Sequence, residues 1–308
     1  MECYNVKITE FKNEIRITTY NKEIIKNRIS KKINNNIVDE ENDNVELGCF
    51  TKQDTDNKKK KKYNESKAKK DSITRAIQKC YNLGKANEWE YFITLTFNKE
   101  KVDRQNYDEV TKKLSNWLNN AKKSNPNMKY LAVPELHKKD KAYHFHLLAS
   151  NIPNVNIVDS GFWSYGKYIV NKEDPLPKWV KNKELLKTIY NIDSYNLGFS
   201  TSTEIAKNEN AVGYILKYLN EDIANTVPIG KKKYWASKNL DKPKEEFILI
   251  DKYEKKLVKI NGRYKNVTVN KLNEYIENLK KSNPKYHKEI IINTGDYSNK
   301  INIIEFNK

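Results

Sequence analysis

Cysteine and long apolar runs are scarce in this 308-residue chain. The three cysteines, Cys3, Cys49 and Cys80, lie far apart, and their spacing predicts neither a disulfide framework nor a zinc finger. No apolar stretch reaches about 18 residues, which excludes a membrane-spanning helix. The first residues, MECYNVKITE, lack the apolar core of a secretion signal, so we expect a cytoplasmic protein.

Positive charge is what the chain has in excess. Lysine and arginine number 58 against 40 acidic residues, a formal net charge of +18 at pH 7. Such a balance favours a polyanionic partner, either nucleic acid or an anionic membrane surface. Because no amphipathic anchor supports the membrane, we expect a nucleic-acid-binding protein.

Composition divides the chain into three expected parts. Residues 1–71 hold one or two strands, followed from Asn21 by a polar, mostly disordered basic linker that includes Lys58–Lys62. This lysine run would add non-specific affinity for phosphates. Residues 72–240 carry the clearest periodic patterns and are the expected functional domain. Residues 241–308 alternate weak strands with a helix and form a C-terminal extension to which the sequence assigns no role.

The central part has the predicted order βαββ, an insertion, then βα. A helix that begins near Asp71 or Ser72 and ends near Gly84 is expected to precede it. The predicted strands are 91–97, 130–136, 143–149 and 198–205, and the predicted helices are 103–123 and 208–219. The proline-containing segment 150–196 is expected to be an irregular insertion. Adjacent antiparallel strands favour an α+β fold with helices on one side of the sheet.

Three of the four histidines lie within ten positions of one another. His144 and His146 are two residues apart on a predicted strand, so both point to the same face. Two adjacent imidazoles are a sound beginning for a divalent-metal site, which usually needs a third ligand. Glu135 on the neighbouring strand is the natural candidate, and His137 is the alternative or a supporting residue. Without a metal, the pair would be an ordinary surface or core feature.

Two tyrosines share one face of the last predicted helix of this part. Tyr214 and Tyr218 lie at i and i+4, about 6 Å apart along the helix axis, with Lys217 beside them. A tyrosine hydroxyl, with an ordinary pKa near 10, needs help to attack phosphorus at neutral pH. A metal that polarises the phosphate and a lysine that holds charge would supply it. Core packing of paired aromatics is the alternative.

Three motifs occur in a fixed order along the chain: Thr94-Leu95-Thr96, His144-Phe145-His146, and Tyr214-x-x-Lys217-Tyr218. In this order they resemble the HUH endonucleases. The greatest likeness is to rolling-circle replication initiators of the two-tyrosine group, which includes microvirus gene A proteins and filamentous phage gene II-like proteins. Flanking pieces agree, namely Val133-Pro134-Glu135-Leu136-His137, Gly198-Phe199-Ser200 and Tyr234-Trp235-x-Ser237. The resemblance covers roughly residues 72–240.

The resemblance implies a palm-like, RRM-like central antiparallel sheet that carries the histidines, with helices packed on it and the tyrosines on a helix. It implies an enzyme that nicks single-stranded origin DNA and keeps a 5′-phosphotyrosine. The free 3′-hydroxyl then primes rolling-circle replication, and the strands are later rejoined.

The same resemblance implies roles for individual residues. His144, His146 and Glu135 would bind Mg²⁺ or Mn²⁺. Tyr214 would be the first nucleophile and Tyr218 the second, with Lys217 assisting at the phosphate or the metal. Thr94 and Thr96 are expected only to support the sheet.

The expected partners follow from the same reaction. None of the nine glycines begins a Gly-x-x-x-x-Gly-Lys-Ser/Thr phosphate loop, so the chain has no fused ATPase of that type. Unwinding would fall to a host helicase, and synthesis to a host DNA polymerase. We expect action on single-stranded origin DNA in the bacterial cytoplasm, with the gene carried by host, phage or plasmid.

Two other functions stay open. A relaxase for conjugative transfer or a tyrosine transposase of mobile elements would use the same cleavage reaction for a different process. The motif order and both tyrosines favour an initiator. A non-catalytic nucleic-acid-binding protein on a four- or five-stranded sheet would stack aromatic side chains on bases and use lysines for phosphates. Binding alone should survive metal chelation, whereas cleavage should not.

Overall fold

The computed structural model describes residues 3–25, 57–137, 139–152, 157–219, 227–228, 230–260, 263–294 and 297–308. The chain forms two compact units, Thr55–Lys242 and Met1–Asp54 with Pro243–Lys308. Within the described ranges, no helix has the length and apolar character needed to cross a bilayer.

In chain order the elements are β1 (Cys3–Glu10), β2 (Glu14–Ile25), α1 (Asn57–Ala86), β3 (Tyr91–Phe97), α2 (Tyr107–Ser124), β4 (Lys129–Leu136), β5 (Tyr143–Ser150), β6 (Ile157–Tyr165), β7 (Tyr168–Asn171), β8 (Lys187–Ile192), β9 (Gly198–Glu204), α3 (Asn208–Leu216), β10 (Trp235–Ala236), β11 (Lys244–Ile248), β12 (Tyr253–Ile260), β13 (Arg263–Asn270), α4 (Lys271–Lys281), β14 (Tyr286–Thr294) and β15 (Tyr297–Asn307). Short 3₁₀ turns at Lys183–Leu185 and Lys217–Leu219 complete the set for the described part of the chain. The α+β class predicted from the sequence is confirmed.

The larger unit, Thr55–Lys242, is built on an eight-stranded sheet in the order β10-β4-β5-β3-β9-β8-β6-β7. The alternation of YFITLTF in β3 buries Ile93 and Leu95 on one face, where they pack against Val110 and Leu114 of α2. Asn106 caps α2, because its side-chain oxygen accepts hydrogen bonds from the first-turn backbone N–H groups.

Helices cover both faces of this sheet, so the expectation of helices on one side was wrong. On the face opposite α2, Cys80 of α1 and Val212 of α3 belong to a cluster with Leu131 and Leu148. The physical reason lies in the strands β4 and β5. Both carry fully buried apolar residues on each face, as the neighbours Leu147 and Leu148 show, and each face must be covered.

The segment 150–196 is not the irregular insertion that its prolines suggested. It supplies β6, β7 and β8, which extend the sheet on the β9 side. Pro175 and Pro177 lie in the connection between β7 and β8, where they interrupt no ladder hydrogen bond. The strand β6 itself, IVDSGFWSY, contains the β-branched and aromatic residues that favour an extended chain.

Helix α1 begins at Asn57, about four turns before the predicted start at Asp71 or Ser72. From Asn57 to Leu83 the sequence contains no proline and no glycine, and its lysine, glutamate and alanine residues favour helix. The backbone of Lys58–Lys62 therefore lies in α1. Of the rest of the predicted linker, β2 extends to Ile25 and residues 26–56 lie outside the described residues.

The smaller unit joins the N-terminal strands to the C-terminal extension. Its five-stranded sheet has the order β11-β1-β2-β15-β14, and Ile17 of β2 lies opposite Ile304 of β15. Helix α4 packs Leu272 and Ile276 against Val6 and Ile17. The helix predicted in the extension is confirmed as α4, and β12 and β13 pair as a separate hairpin.

Candidate active site

The two histidines of β5 lie in the interior of the large sheet, between β4 and β3. Glu135 of β4 is directly opposite His144, while Thr96 and Thr94 of β3 are opposite His144 and His146. Directly opposite residues of antiparallel strands share a face. All five side chains therefore project from the same face, which α1 and α3 partly cover.

Threonines of β3 fix both imidazole rings. A hydrogen bond of 2.9 Å joins Thr96 Oγ1 to His144 Nδ1, and one of 3.1 Å joins Thr94 Oγ1 to His146 Nδ1. With Nδ1 engaged on each ring, Nε2 is the atom left for a ligand. The sequence had assigned these threonines only to sheet support. Their role could have been found by matching the Thr-x-Thr alternation of β3 to the His-x-His alternation of β5.

Glu135 is the carboxylate that the structure brings to the histidines. His146 Nε2 donates to Glu135 Oε2 at 2.6 Å. This hydrogen bond is the main reason why the pKa of Glu135 lies below its ordinary value, although partial burial opposes the shift. Burial lowers the pKa of His144, which favours its neutral imidazole. The protonation states are thus those of metal ligands: an ionised carboxylate and a neutral ring.

His137, the alternative third ligand, is engaged elsewhere. Its Nδ1 lies 2.9 Å from Asp140 Oδ1, and its ring centroid is 5.6 Å from that of His144. It therefore borders the group of His144, His146 and Glu135 from the β4–β5 turn.

Helix α3 and the turn that follows it bring the two tyrosines to this face. The α-helix ends at Leu216, and Tyr218 lies in the 3₁₀ turn Lys217–Leu219 rather than in the predicted continuous helix. The Lys217 N–H bonds the Tyr214 carbonyl, the tightening common at helix ends. The two rings nevertheless meet edge to face, with centroids 5.4 Å apart.

Tyr218 is stacked on a histidine. Its ring centroid lies 3.7 Å from that of His146, with 17° between the planes. Burial, followed by a hydrogen bond with the Tyr214 hydroxyl, raises the pKa of Tyr218. Tyr214 is 45% exposed, and its ring has the Lys217 ammonium 5.4 Å from its centroid. Tyr214 is thus the more exposed tyrosine of the pair.

Phe92 links the two halves of the site and was missed in the sequence. Its ring stacks on His146 at 5.6 Å and meets Tyr214 edge to face at 5.0 Å. Its position two residues before Thr94, on the same face of β3, is the signal that could have identified it.

His144, His146 and Glu135 are residues of the types that bind divalent cations, but they are not positioned as a metal site in this structure. Among the described residues, no three His, Cys, Asp or Glu side chains converge as metal ligands. The two Nε2 atoms and the carboxylate nevertheless belong to one face, and all three are donors that Mn²⁺ and related ions accept.

The segment that contains this geometry is similar to one protein family. Residues 90–223 match a family model described as a replication-associated protein of the ORF2 and gene II protein type. The matched part is under half of the chain, yet it runs from the residue before β3 to beyond both tyrosines. The similarity supports a replication-associated protein of the rolling-circle Rep type. Neither the curated proteins nor the solved structures include a match to the chain.

Proposed function

We propose that this chain is a replication initiator of the HUH class, a metal-dependent DNA nickase and strand transferase that starts rolling-circle replication. The observation that carries the proposal is the contact between its two halves, since the Tyr218 ring stacks at 3.7 Å on His146. A tyrosine pair thus borders a His-His-Glu set. Similarity of this segment to replication-associated proteins supports the same function.

The residues of the sheet would hold and orient the reacting groups. We expect His144, His146 and Glu135 to hold a divalent ion, Mg²⁺ or Mn²⁺, whose Lewis acidity polarises the scissile phosphate when it is bound. Thr96 and Thr94 hold the rings of His144 and His146 so that Nδ1 of each faces β3. To bind a metal through Nε2, His146 would carry its ring proton on Nδ1, where Thr94 Oγ1 can accept the hydrogen bond, and Nε2 would no longer donate to Glu135.

Tyr214 is the first nucleophile in this proposal, because it is the more exposed tyrosine of the pair. Its oxygen forms a bond to phosphorus while the bond from phosphorus to the 3′ oxygen breaks. The phenolic proton passes to water, and the leaving 3′ oxygen takes one from water. The products are a free 3′-hydroxyl and a 5′-phosphate esterified to Tyr214.

The second tyrosine allows a second transfer. Tyr218 would form the next phosphotyrosyl bond as the bond from that phosphorus to its 3′ oxygen breaks. The 3′-hydroxyl released there would attack the first phosphotyrosine, rejoining the strand and releasing the Tyr214 hydroxyl. Lys217 would offset negative charge at the phosphate, since its ammonium lies over the Tyr214 ring. A host helicase and a host DNA polymerase would complete replication, and the lysines at 58–62 would add non-specific affinity for phosphates.

The test is cleavage of a labelled single-stranded DNA library in Mn²⁺ and in chelator. We expect cleavage only with the metal, and loss of cleavage in His144→Ala, His146→Ala and Glu135→Gln. His137→Ala is the matched control, because this histidine is bonded to Asp140, and it should still cleave. Cleavage that persists in chelator would refute the metal assignment. Tight binding without any cleavage would favour the non-catalytic module instead.

A further inference from the structure

The face of the large sheet that carries the candidate site continues past β3 with an exposed aromatic side chain. Glu135, His144, Thr96 and Phe199 lie in one cross-strand row, each opposite the next on β4, β5, β3 and β9. Opposite residues share a face, so Phe199 points to the same side as the histidine and the carboxylate. Its side chain is 72% exposed, which is unusual for phenylalanine.

The outer strands extend this face. Tyr190 of β8 pairs with Ser202 of β9, and Ser202 pairs with Ile93 of β3, which packs against α2. Tyr190 and Ser202 therefore lie on the α2 side of the sheet. Ile189, the preceding residue of β8, therefore points to the candidate-site face, as does its partner Phe162 on β6.

The surface formed by these strands has exposed apolar side chains and no acidic groups. Phe162 is 41% exposed, and Ile169, opposite Ser164 on the same face, is 67% exposed. Lys187 also lies opposite Ser164 and adds a positive charge. Along the four described strands β6 to β9, this face carries no carboxylate. The acidic side chains of these strands, Asp159 and Glu204, pair with Tyr190 and Tyr91 of the opposite face.

Gly198 holds Phe199 at this position. A Cβ atom at residue 198 would lie 2.0 Å from the Thr96 carbonyl oxygen, so only glycine allows β9 to approach β3 this closely. The close approach of the two strands consequently fixes the backbone of Phe199 beside Thr96.

We propose that Phe199 and Phe162 form a stacking surface for the bases of single-stranded DNA beside the candidate site. The inference rests on the proposed function and locates its substrate. An exposed ring on a sheet can stack on any unpaired base, and the part of this face on β6 to β9, which has no carboxylate, does not repel phosphates. Phe199 is two strands from His144, roughly 10 Å, so its base would be a close neighbour of the scissile phosphate. Phe199 is thus a positioning residue.

The test is the affinity for a fluorescently labelled, mixed-sequence single strand, measured by anisotropy in chelator so that nothing is cut. Phe199→Ala removes the stacking of one base, so its Kd should be about 5- to 140-fold higher than that of the wild type. The dependence of affinity on salt should keep its slope, because no charge is removed. Phe199→Trp should bind like the wild type. Tyr168→Ala is the matched control, since Tyr168 is 51% exposed on the opposite face of the same sheet.

Unchanged affinity in both Phe199→Ala and Phe162→Ala would overturn the inference, as would an equal loss in Tyr168→Ala. Photo-cross-linking of strands that contain 5-iodouracil should label Phe199. The two proposals fail separately. A strand that binds through Phe199 but is never cut with Mn²⁺ refutes the nickase alone, whereas normal affinity and cutting by both Phe199→Ala and Phe162→Ala refute the stacking surface alone.

Discussion

Removing the hydroxyl groups that orient the histidines should weaken metal binding at least as much as it lowers the free energy of unfolding. Thr96→Val and Thr94→Val keep the side-chain shape and remove the hydrogen bonds of 2.9 Å and 3.1 Å to His144 and His146. One such bond contributes about 0.5–1.5 kcal/mol to the free energy of unfolding. Loss of a group that orients a ligand typically costs about 10- to 100-fold in metal affinity.

The structure ranks the two variants within that range. His146 would still be held by Glu135 at 2.6 Å and by the Tyr218 ring at 3.7 Å, so Thr94→Val should lie near the lower limit. His144 has no comparable ring stacked on it among the described contacts, and its ring neighbour His137 is 5.6 Å away. Thr96→Val should therefore lie near the upper limit.

The assay is calorimetric titration with Mn²⁺, together with the Mn²⁺ concentration that gives half-maximal nicking. Thr96→Ser should restore both values, because it returns the hydroxyl. Thr201→Val is the matched control, since Thr201 lies opposite Thr94 on β9, one strand farther from the histidines. Wild-type metal affinity in Thr96→Val, or an equal loss in Thr201→Val, would refute the orienting role.

Two further predictions concern the larger unit. Gly198→Ala should lower the free energy of unfolding by about 1–3 kcal/mol, since its Cβ would meet backbone atoms of β3, whereas Gly213→Ala, with open space in α3, should raise it by about 1 kcal/mol. Urea unfolding measures both, and equal effects would contradict the close approach of β9 to β3. Burial raises the pKa of Cys80, so above about pH 9 the unfolded thiol ionises while the folded one does not. The free energy of unfolding should fall there by up to about 1.4 kcal/mol per pH unit from this group, and Cys80→Ala should reduce that slope; an unchanged slope would count against the burial.

Local patterns predicted the parts of the site that depend on local structure. The two-residue spacing of His144 and His146 sets their common face once the strand forms. The turn between β4 and β5 is short, so the two strands pair with each other and Glu135 falls opposite His144. The motif order carried the family resemblance, and the family model covers the same segment.

Non-local pairings could not be deduced in this way. The bonds from Thr94 and Thr96 require β3 to lie beside β5, about fifty residues along the chain, and the alternation within β3 is compatible with other neighbours. The addition of β6, β7 and β8 to the same sheet depends equally on distant pairing. The 3₁₀ turn at Tyr218 reflects how a helix ends, which spacing alone does not determine.

The most direct test of the central claim is the identity of the residue that carries DNA after cleavage. The protein is incubated with Mn²⁺ and labelled single-stranded origin DNA, denatured, digested with nuclease and protease, and analysed by mass spectrometry. We expect a nucleotide on Tyr214 in the first round. We also expect that Tyr214→Phe loses this adduct and keeps its DNA affinity. An adduct on neither Tyr214 nor Tyr218, despite cleavage of the strand, would contradict the proposed tyrosine chemistry.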